Sequence, residues 1–160
     1  MRIATIGYES ASIDDFVDTL KAAKVQHLVD VRELPISRKR GFAKTKLSET
    51  LSAAGIQYTH FRDLGDPKLG REAARRGDYK SFRQIFSLHL TTKGAQEALD
   101  RLEVIASQGG ACLMCFEKSA KHCHRSMVAN AIQKRTGGEV LHLNVGETLG
   151  RNESGRQRAA

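Results

Sequence analysis

Residues 111–135, with the sequence ACLMCFEKSAKHCHRSMVANAIQKR, join an apolar strand, a polar loop and a helix. Ala111–Phe116 is short and apolar, which predicts a strand buried on both faces of a parallel sheet. Ser126–Arg135 predicts a helix, which ends where Gly137 and Gly138 interrupt the pattern. A buried strand followed by a helix is the repeating unit of an α/β fold.

The same unit recurs along the chain. Further strands are predicted at residues 2–8, 25–31, 56–60 and 139–143, and further helices from Ser12 and over residues 47–54, 79–90 and 93–108. Residues 62–78 are polar, contain three glycines and predict a long loop. We therefore expect a single three-layer α/β domain over residues 1–146. It would have a mostly parallel sheet of about five strands with helices on both faces. Residues 147–160 lack an apolar period and predict a flexible C-terminal tail.

The composition narrows the class of protein. The chain has 160 residues, of which 40% are hydrophobic, and no apolar run approaches the ~20 residues of a membrane span. Three cysteines without a disulfide framework, and an N-terminus without a signal peptide, predict a cytoplasmic protein with no membrane association. The net charge of +8 predicts an anionic partner, although charge alone specifies neither a fold nor a reaction.

The carboxyl ends of the predicted strands carry most of the reactive side chains. Parallel strands present these ends at one edge of the sheet, and ligands of α/β proteins bind there. We therefore expect one functional site at this edge. The side chains expected there are Tyr8, Glu9, Ser10, Asp30, Arg32, His60, Cys115 and Glu117, followed by His122, Cys123, His124 and Arg125.

The segment from Cys115 to Arg125 supports three kinds of chemistry. A helix N-terminus and neighbouring basic groups favour a thiolate, so Cys115 or Cys123 could act as a nucleophile. Alternatively, Cys115, Cys123 and His124 could bind a metal, with zinc as the option, although their spacing is not a standard zinc motif. In the third case Arg125 and the helix N-terminus hold a phosphate, while Glu117, His60 or His124 transfers protons.

Two cysteines in the strand form a Cys-x-x-Cys match that we interpret as accidental. Residues three apart on a strand point to opposite faces of the sheet. Cys112 is therefore predicted to belong to the core rather than to share a site with Cys115.

Basic residues flank the predicted site. Asp30 and Arg32 share a strand face and predict either an ion pair or an anion site. Arg38, Lys39 and Arg40 are predicted to bind an anion on the same edge, and a second basic group follows in residues 71–83. Phe42 and Tyr79 are candidates for stacking on bases. These features predict nucleic acid or a phosphorylated small molecule as the partner.

Several separated motifs resemble one known family, the domain of unknown function 488 family. The motifs are Thr5-Ile-Gly-Tyr-Glu-Ser10, Leu28-Val-Asp-Val-Arg32 with Pro35, Gly55-Ile-Gln-Tyr-Thr-His60 with Leu64-Gly65, Leu113-Met-Cys-Phe-Glu117 and Cys123-His-Arg125. The family has no settled general activity, so the resemblance leaves the reaction open. It implies a candidate site made of Arg32, His60, Cys115, Glu117, Cys123, His124 and Arg125. One departure is Tyr8, where members of the family often have histidine.

A weaker resemblance connects the chain with rhodanese-type sulfurtransferases. It rests on Asp30-Val-Arg32, on Cys115 at a strand end and on Arg125-Ser126 at a helix start. The loop between Cys115 and Arg125 is longer than the tight cradle of that family and contains a second cysteine. The resemblance implies a persulfide carrier at Cys115.

These observations lead to one functional prediction with two alternatives. We expect an enzyme or modification-handling protein with an anion-binding pocket, acting on nucleic acid or another phosphorylated ligand. The alternatives are a non-catalytic nucleic-acid-binding module and a cysteine-based sulfur-transfer or redox protein. No cofactor is required by the sequence, and zinc at the cysteines is the only candidate.

Overall fold

The computed structural model describes residues 1–146, in which a five-stranded parallel sheet lies between two layers of helices. The strands are β1 (Arg2–Gly7), β2 (His27–Asp30), β3 (Gln57–His60), β4 (Ala111–Cys115) and β5 (Glu139–Leu143). The helices are α1 (Ile13–Ala22), α2 (Lys44–Ala53), α3 (Lys68–Arg75), α4 (Tyr79–Leu90), α5 (Lys93–Ser107) and α6 (His124–Thr136). Short 3-10 helices lie at Arg62–Leu64 and Ala120–His122. The predicted single α/β fold with a parallel sheet is confirmed.

The strand order is β3-β2-β4-β1-β5, and it places β4 in the middle of the sheet. All five residues of β4 are buried, as its uninterrupted apolar sequence predicts. Every pairing is parallel, and in the two pairings of β4 with its neighbours Ala111 lies opposite both Ile3 and His27. The carboxyl ends of β1, β2 and β4 are therefore adjacent at one edge of the sheet.

Each face of the sheet has its own apolar core. One core contains Phe16 and Leu20 of α1 and Leu47 of α2, packed with Cys112 and Met114 of β4. The other core contains helices α3 to α6, represented by Phe86, Leu99 and Val128, with Leu113 and Cys115 of β4. The alternation along β4 thus places Cys112 and Cys115 on opposite faces, as predicted.

Local signals set several element boundaries. Ser12 caps α1, because its hydroxyl accepts a hydrogen bond from the backbone N–H of Asp15 at 3.1 Å. Gly55 has a φ of +76° in the turn between α2 and β3, the conformation that glycine adopts at least cost. The predicted loop at residues 62–78 is wrong for Lys68–Arg75, which form α3. The tail predicted at residues 147–160 lies outside the described residues.

Within residues 1–146, no helix combines the length and the apolar character that a membrane span requires.

Candidate functional site

A pocket of about 650 Å³ opens at the carboxyl ends of β2 and β4. The chain leaves β2 towards β3, at one end of the strand order, and leaves β4 towards β5, at the opposite end. Such a divergence leaves a crevice between two neighbouring strands, where α/β proteins bind ligands. The residues lining the pocket are Tyr8, Arg32, Glu33, Leu34, Ile36, Ser37, Asp66, Arg71, Ala74, Arg75, Tyr79, Phe82, Cys115, Phe116, Glu117, His122, Cys123 and His124.

Two sulfur atoms meet in the wall of this pocket. Cys115 ends β4, Cys123 caps the N-terminus of α6, and the two are joined as a disulfide. Both side chains are buried, and both residues line the pocket. The backbone N–H of Arg125 donates to the Cys123 sulfur at 3.5 Å, so the first turn of α6 directs its positive end at this sulfur. The site therefore offers a pair of neighbouring sulfurs to a bound molecule.

His124 is the third member of this group. Its Nε2 donates to the carbonyl oxygen of Val31 at 2.5 Å, which leaves Nδ1 as an acceptor, 3.8 Å from the Cys123 sulfur. Burial lowers the pKa of His124 to about 4, so the ring is neutral near pH 7. The two sulfurs and one nitrogen of His124 all lie within 4.8 Å of one another, a geometry suited to a metal ion.

Arg125 is a buried cation beside the sulfurs. It is 1% exposed and donates to Thr5 Oγ1 at 3.2 Å, to the Lys118 carbonyl at 3.2 Å and to the Glu117 carbonyl. It also donates from Nη1 to the Cys115 sulfur at 3.1 Å. Burial lowers the pKa of Arg125 to about 10, which leaves it charged near pH 7. Among residues 1–146 no carboxylate forms an ion pair with Arg125, and Cys112 and Glu117 are the groups whose charges favour its protonated form.

Gly7 makes this arrangement possible. A Cβ atom at this position would lie 1.7 Å from the carbonyl oxygen of Glu117 and 3.0 Å from Nη1 of Arg125. The end of β1 can therefore approach the loop after β4 only without a side chain. This close approach brings Arg125 up against Cys115.

Arg32 is held by an internal network rather than by the pocket alone. Its guanidinium forms an ion pair with Asp30 at 2.7 Å and donates to Tyr8 Oη at 3.2 Å and to the Phe42 carbonyl at 2.8 Å. Tyr58 donates its hydroxyl hydrogen to Asp30 Oδ2 at 2.5 Å, the same oxygen that pairs with Arg32. The ion pair between Asp30 and Arg32 that the sequence suggested is present. These contacts occupy most of the N–H donors of Arg32 that a bound anion would need.

Three carboxyl groups line the pocket, and one of them, Glu33, is paired with Arg71. Glu117 lies at the solvent-accessible mouth, where desolvation by the surrounding protein, followed by repulsion from Glu9, raises its pKa above the usual value. Asp66 lies deeper and is 6% exposed. Burial raises the pKa of Asp66 to about 7, with smaller contributions from the charges of Glu33 and Glu117. A carboxyl group with the pKa of Asp66 can take part in proton transfer near neutral pH.

Aromatic and basic side chains form the rest of the wall. Tyr79 stacks on His122 with ring centroids 3.8 Å apart, and the half-exposed Phe116 packs edge-on against Tyr8 at 5.4 Å. Arg71 pairs with Glu33 at 3.2 Å, and Arg75 is exposed. The pocket can therefore accommodate a flat ring and a negative charge.

The structure brings together only some of the residues predicted for the site. Cys115, Glu117, Cys123, His124 and Arg32 line the pocket, and Arg125 lies directly behind the sulfurs. His60 does not line it, and its Nε2 donates to the Arg32 carbonyl at 2.6 Å. Arg38, Lys39 and Arg40 also lie outside the lining. Phe42, a predicted stacking group, is fully buried against Tyr8 and is wrong in that role.

Sequence reasoning missed Asp66 as a site residue. It follows Leu64-Gly65, which the family resemblance includes, but no spacing or charge pattern separates it from the other acids of a polar segment. Its position depends on the turn that begins α3. Only the folded chain brings it opposite the ends of β2 and β4.

The fold and the pocket define a small α/β domain with a cysteine pair at the switch point of a parallel sheet. A comparison with protein families identifies it more closely. The chain belongs to the family described as domain of unknown function DUF488, whose model matches residues 12–132. Searches of curated proteins and of solved structures gave no significant match. The resemblance to rhodanese-type sulfurtransferases is not among these findings and stays a prediction.

Proposed function

We propose that the protein is a cysteine-based redox or sulfur-transfer enzyme, with Cys115 as the attacking thiolate and Cys123 as the resolving thiol. The observation that carries this proposal is the buried guanidinium of Arg125, 3.1 Å from the Cys115 sulfur. A buried cation without a carboxylate partner is costly, and a thiolate at Cys115 offsets that cost. The adjacent Cys123 can attack the Cys115 sulfur in a second step and so release the product.

The proposed reaction transfers two electrons to a substrate that contains a disulfide or another electrophilic sulfur. The Cys115 thiolate attacks one substrate sulfur, forms a mixed disulfide and expels the other substrate sulfur as a thiolate, which takes up a proton. Cys123 then loses its proton and attacks the Cys115 sulfur, which releases the second substrate thiolate. The enzyme is left with a Cys115–Cys123 disulfide, and a small-molecule thiol reduces it again.

The proposed substrate is anionic, in the class of nucleic acids or phosphorylated small molecules. Arg71 and Arg75 supply positive charge in the pocket wall, and the Tyr79–His122 stack supplies a flat aromatic surface. A volume of about 650 Å³ lies within the usual range for small-molecule sites. A cytoplasmic location would suit this chemistry, because a reducing compartment regenerates the thiols.

Reaction with dithiobis-nitrobenzoate, an aromatic disulfide that carries carboxylates, tests the proposal. The reduced protein should release two nitrobenzoate thiolates in sequence and end with a Cys115–Cys123 disulfide. Cys123→Ser should release one and retain a mixed disulfide on Cys115, whereas Cys115→Ser should lose the fast phase. Cys112→Ala is the matched control, because Cys112 faces the other core. If Cys115→Ser reacts as fast as the wild type, the proposal is wrong.

A second candidate function is zinc-dependent catalysis at the same group, favoured by the convergence of Cys115, Cys123 and His124. The hydrogen bond from His124 Nε2 to a backbone carbonyl is typical of a metal-binding histidine. The cysteine Cα atoms are 7.5 Å apart, wider than the roughly 4.4–6.8 Å usual for disulfides. Two sulfurs bound to one zinc ion lie about 3.8 Å apart, farther than in a disulfide. A zinc site therefore suits cysteines whose Cα atoms are more widely separated. Cys115, Cys123 and His124 would hold the zinc ion, which would supply a Lewis acid at the pocket wall.

Metal analysis separates the two candidates. Protein purified under reducing conditions, without a metal-affinity tag, should contain less than a stoichiometric amount of zinc if the thiols are the reactive groups. One zinc per chain, lost in Cys115→Ser and retained in Cys112→Ala, would support the metal centre and contradict the thiol mechanism.

A further inference from the structure

Asp66 is a buried carboxyl group whose charge is not compensated. It lines the pocket, it is 94% buried, and its Oδ1 has no hydrogen-bond donor within residues 1–146. A buried carboxylate without donors is far more costly than a buried carboxylic acid. The surroundings therefore favour the protonated form of this side chain.

The neighbouring charged groups do not supply a counter-ion. Arg71 of α3 donates from Nη1 to the backbone carbonyl of Asp66 at 2.7 Å and pairs with the carboxylate of Glu33, which follows β2. Glu33 and Glu117, the latter after β4, both oppose a negative charge on Asp66. Three elements thus surround the carboxyl, and only Arg71, already paired with Glu33, favours its ionisation.

Gly70 fixes the position of the carboxyl group. A Cβ atom on Gly70 would lie 2.1 Å from Asp66 Oδ1. The oxygen therefore occupies space in the first turn of α3 that the side chain of any larger residue would fill. The absence of a side chain at Gly70 is what admits an acid here. Burial gives this acid a pKa of about 7, at which it can release a proton under neutral conditions.

We propose that Asp66 is the proton donor for the sulfur that leaves the substrate, an inference that rests on the proposed thiol chemistry. When the Cys115 thiolate breaks the substrate disulfide, the departing sulfur receives the proton of Asp66 and leaves as a thiol. Asp66 becomes a carboxylate at that moment. It recovers a proton when Cys123 is deprotonated for the second step, so protons and electrons balance over the cycle.

The dependence on the leaving group tests this role. An aromatic nitrobenzoate thiolate is a stable anion and needs no proton, whereas the aliphatic thiolate from bis(hydroxyethyl) disulfide is a poor leaving group. Asp66→Asn should slow the reaction with the aliphatic disulfide by about a hundredfold, within the usual range for general acids. The slowing should be much smaller with dithiobis-nitrobenzoate, because its aromatic thiolate leaves without a proton. Asp63→Asn, the same change at an exposed acid three residues earlier, should affect neither rate.

The outcomes distinguish this inference from the proposed function. In the wild type, the ratio of the aliphatic to the aromatic rate should fall above about pH 7, and this fall should be absent in Asp66→Asn. If the wild type reacts with both disulfides and Asp66→Asn is equally fast with the aliphatic one, Asp66 is not the donor. Equal slowing with both disulfides would also overturn the inference, because it indicates a structural role. A wild type that reacts with neither disulfide would overturn the thiol chemistry itself.

Discussion

At the scale of single residues, the site is organised around charges that lack ordinary partners. Arg125 is a cation that touches a sulfur instead of a carboxylate, and Asp66 is an acid without a donor for one oxygen. Most buried charges in proteins are paired, as Arg32 is with Asp30. Arg125 contacts a sulfur of the pocket wall and Asp66 lines the pocket, so both groups lie where the proposed chemistry takes place.

Replacement of Arg125 tests its effect on Cys115. The alkylation of Cys115 by iodoacetamide becomes faster as the thiol ionises. In Arg125→Met this increase should occur at higher pH, because the thiolate loses its neighbouring cation. The rate at pH 7 should fall by roughly tenfold or more. Arg125→Lys keeps the charge and should retain most of the rate. The site-specific rate is measured by mass spectrometry of digested protein, with Arg135→Met as the control on an exposed arginine of α6. An unchanged pH profile in Arg125→Met would contradict the assignment.

The ionisation of Asp66 also predicts how stability depends on pH. Its pKa is about 7 in the folded protein and near 4 in the unfolded chain, so the folded state binds the proton more tightly. The stability that this proton contributes is fully present below about pH 4 and is lost as the pH rises to about 7. Asp66→Asn should therefore raise the free energy of unfolding at pH 7.5, by on the order of 2–4 kcal/mol, and change it little at pH 4.

Urea unfolding of the two proteins at both pH values measures this difference. The Asp63→Asn variant is the control, since its exposed carboxyl should contribute little at either pH. Equal effects of Asp66→Asn at pH 4 and pH 7.5 would show that the carboxyl titrates in the ordinary range.

Part of the site was predictable from residue order. The carboxyl ends of parallel strands identify Cys115, Glu117 and Arg32, and the helix start identifies Cys123 and His124. The sequence could not show that Arg32 and Arg125 donate to carbonyl groups of Phe42 and Glu117, because these acceptors lie in loops whose course depends on the fold. Nor could it show that Asp66 is buried while Asp63, three residues away, is exposed.

At the scale of elements, strong periodicity determined what could be predicted. Helix α4 spans the residues that the spacing of Phe82 and Phe86 predicts, and β5 also matches its predicted bounds. Helix α3 was missed because Gly70 and Ala73 are its only buried residues, so no apolar stripe identifies it. Its polar sequence suits a helix that forms a pocket wall, with Arg71 and Arg75 on the pocket side.

A substitution in α3 tests the seat of Asp66. Alanine normally stabilises a helix interior relative to glycine by about 0.5–1 kcal/mol. Gly70→Ala should instead destabilise the protein, because the new Cβ would overlap Asp66 Oδ1. Gly94→Ala in α5 is the matched control, since the nearest atom there is 3.2 Å away, on the exposed side chain of Asp63. Thermal unfolding compares the two variants with the wild type. A Gly70→Ala variant more stable than the wild type would contradict the close contact between position 70 and Asp66 Oδ1.

At the scale of the whole molecule, the strand order places the site. Because β4 lies between β2 and β1, the segments after β2 and β4 open a crevice at the sheet edge, and the pocket occupies it. The sequence predicted this edge but not the order of the strands, which depends on how helices pack on both faces. The net charge of +8 is spread over the chain, and only a few of its basic residues reach the pocket.

The distribution of charge predicts which basic residues matter for an anionic substrate. Arg71→Gln and Arg75→Gln should slow the reaction with dithiobis-nitrobenzoate severalfold at low ionic strength and weaken its salt dependence, because both residues line the pocket. The paired control is Arg38→Gln with Arg40→Gln, which removes two exposed charges outside the lining. Stopped-flow rates at several salt concentrations measure the effect. A larger effect from Arg38 and Arg40 would place the anion elsewhere.

The central claim is that Cys115 and Cys123 are a reactive pair. The most direct measurement is mass spectrometry of the reduced, metal-free protein after treatment with one equivalent of an aromatic disulfide, followed by alkylation and digestion. We expect a Cys115–Cys123 linkage that a small thiol reverses, with Cys112 remaining a free thiol. Free, alkylated Cys115 and Cys123 after this treatment, or a lasting adduct on Cys112 instead, would contradict it.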